Sequence, residues 1–200
     1  MSALQAMQAG AQYSVIQAQL KLLADSTEEY NQALEISRKN IALFGGSIVD
    51  NLQNMNRLIL LSNQSGASIE DLNDMQLLLS TKDPMQGIEG ASIALNEALS
   101  EGTTRSLRQR FELGGEQLKM FTDQTLTANE MLALFEKELQ KIGLSMELLE
   151  GSVSIGARSV NEFSAAWEEA MLASGQALNN SLVVPMEAMT VLLQNAISLL

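Results

Sequence analysis

Thr127-Ala128-Asn129-Glu130-Met131-Leu132-Ala133-Leu134-Phe135-Glu136-Lys137-Glu138-Leu139-Gln140-Lys141-Ile142-Gly143 is the stretch whose reading decides the fold class. Thr127 and Glu130, three apart, can satisfy each other's orphan amide hydrogens at a helix start. Met131, Leu132, Phe135, Leu139 and Ile142 then return at helical spacing, and Gly143 stands where a left-handed cap belongs. The same grammar repeats upstream. Ser68-Ile69-Glu70-Asp71 opens a short helix carrying Leu72, Met75 and Leu79. It ends before Asp83-Pro84, because the residue ahead of a proline is pushed out of the helical region. Ser47 caps a helix with Ile48, Leu52, Met55 and Ile59, and the run Leu58-Ile59-Leu60-Leu61 widens that stripe enough to need partners on two sides. Gly45-Gly46 separates it from a helix that begins after Asp25-Ser26-Thr27 and bears Tyr30, Leu34, Ile41 and Phe44. The first helix, running to about Ala24, shows Leu4, Met7, Ala11, Val15, Ala18 and Leu22 at spacings of three and four. Downstream of the proline, Ile88, Ala91, Leu95 and Leu99 form a helix that stops at Glu101-Gly102. A brief turn then runs from Thr103 or Thr104 through Phe111 to the break at Gly114-Gly115.

Composition agrees with this pattern. The 200 residues hold 33 Leu against 11 Ile and 7 Val, with aromatics at 4% and two prolines. Straight-chain residues lose little freedom in a helix, whereas β-branched ones favour strands. The expected class is all-α with no sheet. Narrow stripes and few aromatics predict elongated helical hairpins or a bundle, with short glycine-broken helices in the middle, rather than one globular core. Three stretches differ in character: 1–63 with long amphipathic helices, 64–151 with short ones, and 152–200 as an apolar C-terminal helical segment.

Chemistry is largely excluded by what the chain lacks. There is no Cys and no His, which removes disulfides, thiolate and imidazole metal sites, cysteine nucleophiles and Ser-His triads. A net charge of −12 disfavours a nucleic-acid partner, since such binding depends on cations displacing counterions from phosphates. The carboxylate pairs Glu28-Glu29, Glu70-Asp71 and Glu168-Glu169 read as solvated helix surface, because adjacent helix residues point about 100° apart. Asp71-Leu72-Asn73-Asp74 fails as a calcium loop, with Gln76 where glycine is needed and Lys82 where glutamate is needed. The glycines follow no strand and precede no Gly-Lys-Ser/Thr, so they read as hinges and caps. Arg105, Arg108, Arg110 and Lys119 lie among Glu101, Glu112 and Glu116, and surface ion pairing is expected of them. The chain is expected not to be an enzyme, with no catalytic, cofactor-binding or metal-binding residue and no cofactor. The N-terminus lacks the basic and apolar regions of a secretory signal.

The C-terminal quarter changes character. Val160, Phe163, Trp167 and Met171 make a longer amphipathic helix, and beyond Glu169 the last 31 residues carry a single charge, Glu187. Leu182 to Leu200 has about the length of a bilayer span, roughly 20 residues. Glu187, Gln194, Asn195 and Pro185 interrupt it and no Lys or Arg flanks it, so burial between helices is expected over membrane insertion. Phe163, Trp167, Met171, Leu192 and Leu193 are the candidate helix–helix interface.

Two sets of residues carry a resemblance. Gly66-Ala67-Ser68-Ile69-Glu70-Asp71-Leu72 and Leu99-Ser100-Glu101-Gly102-Thr103-Thr104-Arg105-Ser106-Leu107 belong to a run of short helices with small-residue breaks. Phe163-Ser164-Ala165-Ala166-Trp167-Glu168, Gly175-Gln176-Ala177-Leu178 and Ala188-Met189-Thr190-Val191-Leu192-Leu193 follow. Together they resemble the tail tape measure proteins of long-tailed bacteriophages and prophages. The resemblance implies a structural tail component that helps set tube length and occupies the tube lumen. Its location would be the virion tail, and the host cytoplasm during assembly. It also implies self-association and contacts with the tail tube protein and tail assembly chaperones. Family members are far longer, so it implies a segment of a longer chain. A helical ruler gains about 1.5 Å per residue, so function would follow from length and lateral contacts rather than from a pocket. The alternative expectation is a membrane-active helical protein, either a pore former or a segment that inserts into the host membrane during genome ejection, with membrane contact through 170–200.

Overall fold

A computed structural model describes residues 3–153, 157–159, 161–162, 164–173 and 176–177. The chain is all-α, and no strand occurs among the described residues. The helices are α1 (Ala3–Leu23), α2 (Thr27–Phe44), α3 (Ile48–Ser65), α4 (Ile69–Lys82) and α5 (Gly87–Ser100). They are followed by α6 (Arg105–Phe111), α7 (Gly115–Leu118), a 3-10 turn at Lys119–Thr122, α8 (Ala128–Lys141) and α9 (Met146–Ser152). Residues 164–173 are helical as well.

Local chemistry sets the boundaries. Ser26, Ser47 and Ser68 accept the amide hydrogens of Glu29, Val49 and Asp71 at 3.1, 3.1 and 3.0 Å. At α8 the reciprocal cap forms: the Thr127 amide donates to Glu130 Oε2 at 2.8 Å, and Thr127 Oγ1 accepts from the Glu130 amide at 3.3 Å. Its other end closes with two bonds, Leu144 N to Leu139 O and Gly143 N to Gln140 O, both at 3.0 Å. Gly143 adopts φ +82°, the left-handed geometry that leaves those carbonyls accessible.

The core is built around α3 and α4. α3 packs on α1, α2, α4 and α5, while α4 packs on α5, α8 and α9 as well. Their buried sets run through consecutive residues, Leu58 and Ile59 in α3 and Leu77 to Leu79 in α4, so both helices are covered on more than one side. The hairpins therefore share one connected apolar cluster, which reaches from Ile16 through Phe111 and Phe135 to Leu172. The narrow stripes predict more independent hairpins than this. What joins them is the wide stripe of α3, for which the sequence requires partners on two sides.

α1 departs from its expected face. Val15 and Leu22 are 56% and 85% exposed, while Ile16 and Leu20 are buried with Tyr13 and Leu23 packed beside them. The side chains of Leu4 and Met7 lie outside the described residues. In an Ala- and Gln-rich helix two stripes one residue apart both fit helical spacing, and packing against α3 selects the one carrying Ile16 and Leu20.

Candidate functional site

α2 runs out at Phe44, Gly45 and Gly46 take φ of +75° and +100°, and Ser47 starts α3. This elbow leaves the last carbonyls of α2 and the first amides of α3 without partners in their own helices. Residues 157–173 supply the partners. Asn161 Nδ2 donates to the carbonyls of Ala42 and Leu43, at 3.4 Å each. One carboxylate, Glu168, accepts from Ser47 Oγ at 2.9 Å through Oε1 and from the Ile48 amide at 3.0 Å through Oε2. The signs suit the helix ends: a donor faces the negative end of α2 and an anion faces the positive end of α3. A Cβ on Gly45 would come within 3.1 Å of Asn161 Oδ1, so the close approach and the positive φ both favour glycine. Arg38 pairs with Glu169 at 3.4 Å, and Gln176 Nε2 donates to Ser14 Oγ at 2.8 Å.

These contacts correct one expectation. Glu168 is a helix cap and not merely solvated surface. Asn161, Ala165, Glu168, Leu172 and Gln176 share one helical stripe, and that stripe faces the body of the protein, with Leu172 buried and Ala165 half-buried. Trp167 and Met171 lie about 100° around the helix from that stripe. Trp167 is 64% exposed and Met171 is half-buried. The unpaired groups of the elbow decide the orientation, because only polar side chains can satisfy them. Phe163, Leu192 and Leu193 lie outside the described residues, as does all of 182–200. Among the described residues no helix is long and apolar enough to cross a membrane.

Between α1, α2, α3 and this segment lies a cavity of about 280 Å³, walled by Tyr13, Leu34, Ile41, Ile48, Leu52 and Ala166. Burial, and next the nearby Glu169, pushes the Tyr13 phenol above its ordinary pKa, so it stays neutral and accepts from Gln17 Nε2 at 2.8 Å.

A second polar feature underlies the elbow. Asn40 and Asn73 exchange side-chain hydrogen bonds of 2.7 and 3.3 Å, joining α2 to α4. Asn54 and Gln76 exchange bonds of 2.7 and 2.9 Å, joining α3 to α4, and Gln76 Nε2 also donates to the Ile88 carbonyl at 3.1 Å. All four amides are buried. The sequence reading missed them, although Asn73 and Gln76 sit on the face of α4 that bears Leu72, Met75 and Leu79.

Asp74 adjoins this ladder. Burial pushes its carboxyl up from 3.8 to about 6, opposed by a hydrogen bond from Asn73 and by Lys39, and assisted by Glu70 and Asp71. A folded value above the unfolded one means that the folded chain holds the extra proton, so this group's contribution falls as pH rises through about 6. Asp74→Asn is expected to stabilise the fold by about 1 kcal/mol near pH 7.5, a figure discounted for partial exposure. The gain should vanish below about pH 3, under both values, where the folded and unfolded states alike carry the proton. Urea titrations at the two pH values check it, and an equal gain at both would show that ionisation is not the cause.

No family model, curated protein or solved structure matches this chain. The elbow is therefore read from its own geometry. Its groups terminate and join helices, and among the described residues no cluster of three acidic side chains could hold a metal. The basic cluster pairs less than expected: Lys119 meets Glu116 at 3.1 Å, but Arg110 donates to Gln86 Oε1 at 3.5 Å. Among the described residues Arg105 and Arg108 form no ion pair. They border a shallow surface depression with Thr103 and Gln109, too open to exclude water.

Proposed function

We propose that this chain is a structural helical segment of a tail tape measure protein, occupying the tail tube lumen in the virion. During assembly in the host cytoplasm its partners would be copies of itself, the tube protein and tail assembly chaperones. The observation that carries the reading is the elbow, where Asn161 and Glu168 cap the facing ends of α2 and α3. Polar side chains there join one helical stretch to the next, as a ruler made of linked helices requires. The resemblance of 66–150 and 151–200 to the tape measure family supplies the biological setting.

Tail length is the direct test. An in-frame deletion of 128–152 in the phage or prophage that encodes the chain is expected to shorten tails by up to about 1.5 Å per residue removed. Electron micrographs of mutant and parent particles measure it. Tails of unchanged length would overturn the ruler.

A further inference from the structure

Residues 157–173 dock by an unusual balance of forces. Leu172 is the one fully buried apolar side chain among the described residues of the segment. Among the described residues the polar part of the attachment includes Asn161 on two carbonyls, Glu168 on Ser47 and Ile48, and Glu169 on Arg38, while Ala165 packs half-buried against the core. Such exposed or half-exposed polar contacts are individually weak. The apolar surface beneath is incompletely filled, since the cavity of about 280 Å³ lies between the segment and Leu34, Ile41, Ile48 and Leu52.

The elbow, in contrast, also has contacts that do not involve the segment. α2 and α3 pack on each other, and Ser47 Oγ accepts from the Val49 amide at 3.1 Å, a contact internal to the start of α3. Departure of the segment would leave a formed groove with apolar walls, a donor-seeking helix end and an anion-seeking helix end about two helical turns apart along the ligand. A helix with a donor amide, a small residue, a carboxylate and a leucine at spacings of four, three and four fits it. The chain encodes that helix itself, as Asn161, Ala165, Glu168 and Leu172.

We propose that the α2–α3 elbow is a helix-receiving site and that 157–173 is an exchangeable strap, replaceable by the same segment of a second copy of this chain. The site recognises its ligand by the two cap contacts, and the apolar walls supply the demand that it be filled. Exchange would link copies through surface that each already carries, with no new interface. The inference stands independently of the tape measure reading.

Trp167 is the chain's single tryptophan, on the outward side of the strap, so its fluorescence anisotropy reports the strap directly. The test titrates a labelled peptide of residues 157–177, carrying Trp167→Phe to keep it dark, against the full chain. Glu168→Lys in the full chain places a cation against the α3 N-terminus. This variant is expected to free its own strap, lowering Trp167 anisotropy, and to bind the peptide at least about tenfold more tightly than the unmodified chain does. A peptide carrying Glu168→Lys should bind neither. Asn161→Asp sets a carboxylate against the α2 carbonyls and tests the other cap, should the first variant melt early in circular dichroism. Unchanged Trp167 anisotropy in both folded variants would overturn the proposal, and so would a freed strap with no gain in peptide binding.

Discussion

Gln76→Leu is expected to destabilise the fold by about 3 kcal/mol, although leucine nearly matches glutamine in volume and the site is otherwise apolar. Gln76 is 0% exposed and serves three hydrogen bonds, two with Asn54 and one to the Ile88 carbonyl. Removing it leaves the buried Asn54 amide and the Ile88 carbonyl without this partner. A buried polar group left unpaired loses about 1–3 kcal/mol, while a pair removed together loses far less. The double variant Asn54→Leu/Gln76→Leu should therefore be more stable than the sum of the single losses by about 1–2 kcal/mol. Urea denaturation of the four proteins closes the cycle. Strict additivity would show that the two amides do not act as a pair. The ladder also bears on register. Apolar faces of α2, α3 and α4 can slide over one another at modest cost, whereas reciprocal amide pairs are satisfied at one alignment only.

The sequence makes helix ends more legible than helix faces. Thr127 with Glu130, Ser68 with Asp71, and Gly143 are caps in the structure as in the reading, because a cap is a local bargain between neighbours in sequence. The α3 stripe is equally clear, since Ile48, Leu52, Met55 and Ile59 outnumber any rival face and all are buried. Faces fail where rivals exist. Val15 and Leu22 of α1 yield to Ile16 and Leu20, and the choice between them lies on α3, not on α1. Trp167 is a different case. Its stripe is the more apolar one, but the unpaired backbone at Gly45-Gly46 and Ser47 selects the stripe bearing Asn161 and Glu168. Those residues come about 120 positions later in the chain. Spacing within a segment carries no record of such a partner. The amide ladder stood closer to view, because polar residues on an otherwise leucine-rich face, as Asn73 and Gln76 are, need buried partners.

Phe135→Ala is expected to cost about 3–5 kcal/mol, the largest effect of any single change in α8. The ring is fully buried and meets Phe121 edge to face, with centroids 5.1 Å apart and planes at 70°. Truncation loses that aromatic pair, worth about 0.5–1.5 kcal/mol, and opens a void that Leu132 and Leu139 cannot close from a helix fixed at both ends. Phe135→Leu, which keeps most of the volume, should recover about half of the loss. The variant also tests how far the shared core behaves as one body. Trp167 lies on the strap, whose Leu172 belongs to the same connected cluster as Phe135. If the cluster unfolds cooperatively, denaturation followed by Trp167 fluorescence and by far-ultraviolet circular dichroism must shift together in Phe135→Ala. A Trp167 transition that stays in place while the helical signal moves would divide the chain between the α1–α3 body and the short helices that follow. That division would matter for a ruler. Helices that melt as one unit resist extension together, whereas separate units can be drawn out one after another.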